Sequence, residues 1–395
     1  MSEKLPFIPL CVPEVAGTEI RYLQECLDTN WLSYAGPHVN LFEEKLAKEV
    51  GFQHAVAVSS GTAALHLALV MAGVQLDDEV VMPGISFVAP ANACRYCGAW
   101  PVFVDIQKKT WQWDLDQVED FLKNHCERKG GQLVNWQTGR RIAALMPVHL
   151  FGSLCDIQRL ARIAETYQLP MVEDAAECLG ARYGDVRLGE AIDSSNVLRI
   201  TCTSFNGNKV ITTGGGGALF TNEESVAQRA RHLSTTAKAG GVEFYHDEVG
   251  YNYRLTNISA AVGLGQLERL VSYVERKREI NQAYRNAFAD YADVVSLPAA
   301  DNIYSTYWMY TLMMPENSRD LITYLGEQEV MARPVWVPMY QLPMLGEAYC
   351  HSKQFSEELY DRGVSLPCSV GLTVEQQNRV IKLVIAYLDK KYRNN

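Results

Sequence analysis

The sequence predicts an α/β protein: a large domain on a mostly parallel mixed sheet flanked by helices, followed by a smaller C-terminal α+β domain. Three observations carry this expectation. From about residue 55, short apolar runs alternate with stretches of helical period, the pattern of strand–helix–strand units. Beyond SVAQRARHLSTTAKAGG the alternation gives way to one long, charged helical stretch. The last hundred or so residues then mix short strands with helices. A chain of 395 residues suits two cores better than one. The expected domains are 1–262 and 263–395.

The elements follow in order. HAVAVSS is apolar and β-branched, hence a strand, and GTAALHLALVMAGV behind it is a helix. DEVVMPG reads as a strand and FVAPANACRYCG as a helix. PVFVDI is a strand, RIAALMPVHLFG contains another, CDIQRLARIAETYQ is an amphipathic helix and LPMVEDAA is again a strand. NISAAVGLGQLERLVSYVERKREINQAYRNAFADY reads as a helical connector between the domains. YWMYTLMM and TVEQQNRVIKLVIAYL supply a strand and a helix of the C-terminal domain.

Composition narrows the function. Apolar residues make up 48% and charged residues 21%, as in soluble globular proteins. A net charge of −10 argues against nucleic-acid binding, although a local pocket can still be positive. The apolar run AALHLALVMAGV is too short to cross a bilayer, so no membrane partner is expected. MSEKLPFIPLCVPEV lacks the apolar core of a signal peptide. Ten scattered cysteines, with Cys94 and Cys97 the one close pair, give no metal framework and fit a reducing, cytoplasmic setting.

Ligands of open α/β sheets bind beyond the carboxyl ends of the strands. Ser60-Gly61-Thr62 follows the first strand and opens a helix. Ser60 or Thr62 can cap that helix, Gly61 permits close approach, and the N-terminal amides attract an anion such as phosphate. Asp174 ends the LPMVED strand, where a buried acid needs a positive partner, and Glu177 follows three residues later. Lys209 stands between Ser204 and the run Gly214 to Gly217. A lysine in such a place can bond an aldehyde, Ser204 can donate to a phosphate, and the glycines let the chain fold beneath a flat ligand. The glycine run does not match the dinucleotide fingerprint, since Leu219 takes the place of the last glycine. Phosphate cup, acid and lysine are together the three attachment points of pyridoxal phosphate, and Phe87 is placed to stack on its ring.

The segments GPHVNLFEEKLA, SSGTAALHLAL, SFVAPANA, VEDAAECLGA, SFNGNKVITTGGGGALFTN and GYNYRLTNISAAVGLGQLE run through nearly the whole chain. In order and spacing they resemble the DegT/DnrJ/EryC1/StrS sugar-nucleotide aminotransferases, pyridoxal phosphate enzymes of fold type I, the aspartate-aminotransferase-like fold. The resemblance implies that Lys209 bonds the cofactor aldehyde and Asp174 faces the ring nitrogen. It implies that Ser204, Gly61 and Thr62 hold the phosphate, and that Phe87 stacks on the ring. Asn252 resembles the asparagine that reaches the cofactor phosphate of a neighbouring subunit, which implies a homodimer with shared active sites. Glu177 stands where many relatives carry glutamine or histidine. Lysine at 209, rather than histidine, points to transamination instead of sugar dehydration.

NGNKVITTGGGG, LSTTAK and YHDEVGYNYR look most like the branch that aminates C4 of UDP-4-keto-6-deoxy-N-acetylhexosamines with L-glutamate as donor. A 3-amino-forming relative and a pyridoxal phosphate-dependent dehydratase are the alternatives. For the substrate diphosphate the candidates are His149, Lys238, Arg254 and Arg182, beside ordinary ion-pair roles for each. Ser33 and Tyr34 in NWLSYAGP, and Tyr340 in PVWVPMYQLPM, are candidates for the sugar pocket. Trp111 and Trp113 suit packing better than stacking on a base.

Overall fold

The computed structural model describes residues 6–15, 17–192, 196–298 and 302–393. Its centre is an eight-stranded sheet in the order His54–Val58, Gly217–Thr221, Arg199–Ser204, Met171–Asp174, Ile142–Leu145, Glu79–Pro83, Trp100–Val104, Tyr349–Cys350. Only Gly217–Thr221 runs against the rest. Inner strands are buried along their length because helices cover both faces; every residue of Glu79–Pro83 and of the apolar run Ile142–Leu145 is buried. The helix Gly61–Met71 is apolar all round and buried along most of its length, as a helix inside the core must be.

The antiparallel strand brings distant residues together. Ser204 pairs with Gly217, Val58 pairs with the same Gly217, and Cys202 lies beside Asp174. The first strand, the Asp174 strand and the Lys209 loop therefore all end at one edge of the sheet.

The long helical stretch is two helices, Asn257–Leu267 and Leu270–Ala287. No proline marks the break. Glu268, at the junction, accepts the Tyr22 hydroxyl at 2.8 Å and is also bonded by Thr18, so packing against the helix Glu19–Thr29 sets it.

A second sheet of Tyr310–Met313, Gly363–Leu366 and Arg333–Pro334 forms the C-terminal region with the helices Arg319–Glu327 and Val374–Leu388. The expected division at 262/263 falls inside the helix Asn257–Leu267 and is crossed in several places, among them the pairing of Ile303–Tyr304 with Arg182–Tyr183. Near the N-terminus, Ile8 bridges to Val330, and Leu10 O accepts the Cys368 amide at 2.8 Å. Tyr349–Cys350 joins the large sheet, and Asp105 accepts the amides of Phe355 and Ser356 at 2.6 and 2.9 Å.

Candidate active site

The strand ends and the second sheet enclose a cavity of about 530 Å3. Ser60 caps the helix Gly61–Met71, its side-chain oxygen accepting the Ala63 amide at 3.0 Å. The cap is Ser60, not Thr62, which leaves Thr62 on the cavity wall. Glycine is required twice here. A Cβ on Gly61 would come within 2.8 Å of Ser204 Cβ, and one on Gly217 within 2.5 Å of Gly61 N. The helix start is thus pressed directly onto the ends of two strands, with the Ser204 side chain beside its first amides.

The loop from Ser204 to Gly217 folds back on itself. Phe205 N donates to Gly216 O at 2.9 Å, Thr213 N to Phe205 O at 3.1 Å, and Gly214 turns the chain with φ +79°. Lys209 projects from this loop with 12% of its side chain exposed. Its Nζ lies 3.5 Å from Glu177 Oε1 and 4.1 Å from the centre of the Trp308 ring. The second Glu177 oxygen accepts the Phe151 amide at 2.7 Å; Phe151 has φ +59°, an uncommon conformation for a bulky residue. Burial pushes the Glu177 carboxyl up to about 7, against the opposing pull of Lys209.

Asp174 ends its strand with Oδ1 accepting the Ala176 amide at 2.9 Å, and burial holds its carboxyl above the usual range. A cationic ring placed against it would reverse that cost. Behind it Glu173 is fully buried. It takes both Arg199 nitrogens, at 2.9 and 3.0 Å, and the Thr201 hydroxyl at 2.7 Å. Burial opposes the charge on Glu173, yet the Arg199 guanidinium holds its carboxyl well below the usual range.

The residues present fit pyridoxal phosphate. A glycine-lined helix start, a desolvated carboxylate and a half-enclosed amine face one cavity, with a hydroxyl beside the amides. The phosphate would lie on the amides of Gly61 and Thr62 and on Ser204, the ring nitrogen on Asp174, and the aldehyde on Lys209. Phe87 stands at the mouth, 58% exposed.

Several expected substrate residues are engaged elsewhere. His149 lines the cavity, but its side chain is wholly buried beneath the site, with Nδ1 accepting the Cys155 amide at 3.2 Å and Nε2 lying 3.9 Å from Glu173. Burial disfavours a charged ring, whereas the neighbouring Glu173 favours one. The Cys155 amide donating to Nδ1 decides for the neutral ring with its hydrogen on Nε2. His149 supports the strand-end carboxylates and is out of a diphosphate's reach. Arg254 is bound to Glu43 and donates to Ala57 O at 2.8 Å, while Arg231 holds the other Glu43 oxygen at 3.2 Å. Glu43 is buried, so the two guanidiniums answer its charge rather than a ligand's.

Tyr340 packs edge-on against Phe103 and donates to Lys353 O at 3.1 Å, outside the cavity. Lys238 is exposed and lies over Phe244, Arg182 lies over Tyr304, and Ser33 and Tyr34 are exposed; none lines the cavity. Asn252 is exposed and bridges Thr235, also off this chain's cavity. Trp111 and Trp113 are buried core residues.

The outer wall comes from residues that sequence reasoning passed over. Trp308 and Trp336 are parallel to within 4°, with ring centres 6.3 Å apart, and Trp336 stacks on Phe151 at 5.2 Å. Arg333, three residues before Trp336, lines the same cavity, and among the described residues no acid pairs with it. The PVWVPMYQLPM stretch does face the cavity, through its Pro334, Val335 and Trp336 and not its Tyr340.

Fold and site together define a pyridoxal phosphate enzyme of fold type I. The chain belongs to the DegT/DnrJ/EryC1/StrS aminotransferase family, whose model matches residues 13–385. It is 35% identical over 374 residues to the GDP-perosamine synthase of Escherichia coli O157:H7, covering 94% of this chain and 96% of that one. It is also 35% identical over 382 residues to the GDP-perosamine synthase of Caulobacter vibrioides, covering 95% and 97% of the two chains. The solved structure of the aminotransferase TlmJ from Streptoalloteichus hindustanus superposes with a TM-score of 0.85 at 28% identity, over 97% of this chain and 99% of that one. The protein is thus a pyridoxal phosphate-dependent sugar aminotransferase, which takes a nucleotide sugar and an amino donor. Among the described residues, no helix is long and apolar enough to cross a membrane.

Proposed function

We propose that the enzyme transfers the amino group of L-glutamate to the C4 ketone of a guanosine-diphosphate-linked sugar. The two GDP-perosamine synthases at 35% identity support guanosine over the uridine expected from sequence motifs. The observation that carries the reading is the meeting of Lys209, Asp174 and the Gly61 helix start in one cavity. When bound, pyridoxal phosphate supplies a carbonyl for the amine and a cationic ring that accepts electrons.

The chain does the rest. Asp174 holds the ring nitrogen's charge in a dry setting. Lys209 Nζ takes the proton from the donor's α-carbon and returns one to the sugar carbon that gains nitrogen. Glu177, titrating near neutrality, sits 3.5 Å from Nζ and exchanges charge with it as that proton moves. Trp308 and Trp336 shield the amine from water. Arg333 is placed to receive an anionic group, the donor carboxylate or a substrate phosphate.

The active unit is a homodimer in this reading. Phe244, Tyr245 and Tyr34 are exposed aromatics away from the cavity, and Asn252 lies off its own cavity, as a residue serving a partner's site would. Mixing inactive Lys209→Ala and Asn252→Ala chains tests this, because a shared site regains activity in mixed dimers and a self-contained one does not. For the substrate, a panel of GDP- and UDP-linked keto sugars with L-glutamate is read by mass. Amination of the GDP-linked ketone, with stoichiometric 2-oxoglutarate, is expected; amination of UDP-linked ketones alone contradicts the assignment.

A further inference from the structure

We propose that Asp120, His125 and His351 form a binding site for a divalent transition metal of the zinc class, separate from the active-site cavity. His351 Nε2 lies 3.2 Å and His125 Nε2 3.7 Å from the same atom, Asp120 Oδ2. The three donor atoms lie within 4.8 Å of one another. Tetrahedral zinc with bonds of about 2.0–2.1 Å spaces its ligands about 3.3 Å apart, so small side-chain movements close this triad on an ion.

The surroundings favour that use. Asn124 Nδ2 donates to Asp120 Oδ1 at 2.8 Å, which fixes the carboxylate and leaves Oδ2 turned to the two imidazoles. The imidazole rings are 4.7 Å apart and nearly perpendicular, and Phe121 packs against both. Among the described residues no lysine or arginine pairs with Asp120. A second cluster, His232, Asp247 and Glu248, lacks this advantage, because Arg229 already occupies Glu248 with Nη2 at 2.6 Å. Two nitrogens and one carboxylate suit zinc, cobalt or nickel rather than magnesium or calcium, which take oxygen shells.

Asp120 and His125 belong to the helix Leu115–Asn124 and its C-cap, while His351 directly follows the edge strand Tyr349–Cys350. Bound metal would therefore staple that late strand to the large domain. The test is calorimetric titration of chelator-treated holoenzyme with Zn2+, alongside thermal unfolding with and without Zn2+. One site per chain is expected. His351→Gln and His125→Gln should each weaken it by at least about tenfold, the scale set by losing even an outer partner of a metal ligand. Both variants should retain transaminase activity and lose the zinc-dependent rise in Tm, while His232→Gln binds zinc like the wild type. Cofactor absorbance verifies folding, and Asp120→Asn replaces any variant that fails that check. Absence of zinc uptake by the wild type, undiminished uptake in His125→Gln and His351→Gln, or loss of the site in His232→Gln would each overturn the proposal.

Discussion

The inner and outer walls of the active-site cavity are built differently. The inner wall, holding Gly61, Ser204, Asp174 and Lys209, sits on strand ends inside the large sheet, and its backbone contacts are so close that glycine alone fits at two points. The outer wall, holding Trp308, Trp336 and Arg333, comes from the second sheet and its connections, and Arg333 is exposed and unpaired by any described acid. Rigid, desolvated geometry suits a cofactor and proton transfer, whereas an open cationic and aromatic wall suits substrates that enter and leave. Inner-wall changes should therefore reduce kcat or cofactor retention, and outer-wall changes should act on KM.

The largest effect is expected at Lys209. Lys209→Ala should lower kcat by about 10²–10⁴-fold or more, since it removes the base; steady-state kinetics at saturating cofactor checks this. Next is Gly217→Ala, which forces the 2.5 Å approach apart. It should destabilise the protein by about 1–3 kcal/mol and weaken cofactor binding, read by unfolding and by absorbance titration. Arg333→Met should raise the KM of an anionic substrate by about tenfold or more with kcat nearly unchanged, the scale of one charged hydrogen bond.

A gentler probe is pH. Glu177 has a raised folded pKa, so its contribution to stability is present below about 4.5 and is lost as pH rises through about 7. Asp174 is shifted in the same direction. In cofactor-free protein, Glu177→Gln should therefore gain in Tm relative to the wild type between pH 5 and 8; a gap constant across that range would contradict the burial argument. The smallest effect is expected for Tyr340→Phe, which should leave KM within about twofold because Tyr340 bonds a carbonyl outside the cavity.

The same contrast explains what the sequence disclosed. Asp174 ends a short apolar run and Gly61 follows one, and ligands of open sheets gather at strand ends, while Ser204 and Lys209 stand out by their spacing before the glycine run, so local pattern and one topological rule bring them together. Charge alone misdirected the reading of Arg254. Its partner Glu43 is 211 positions away, and nothing local marks that acid as buried. Tyr340 lies in the right stretch but on the wrong face, because an irregular segment has no period from which to infer which aromatic points inward. Trp308 precedes a strand that was legible in YWMYTLMM, yet its place over Lys209 depends on packing between two sheets. The break at Glu268 was invisible for a similar reason, since its hydroxyl partners Thr18 and Tyr22 lie far away in the chain.

The most direct test of the inner wall is borohydride reduction of the yellow holoenzyme followed by peptide mapping. A pyridoxyl group on the peptide containing Lys209, and on no other lysine, is the predicted result. A pyridoxyl group on a different lysine, or none at all, would contradict the account.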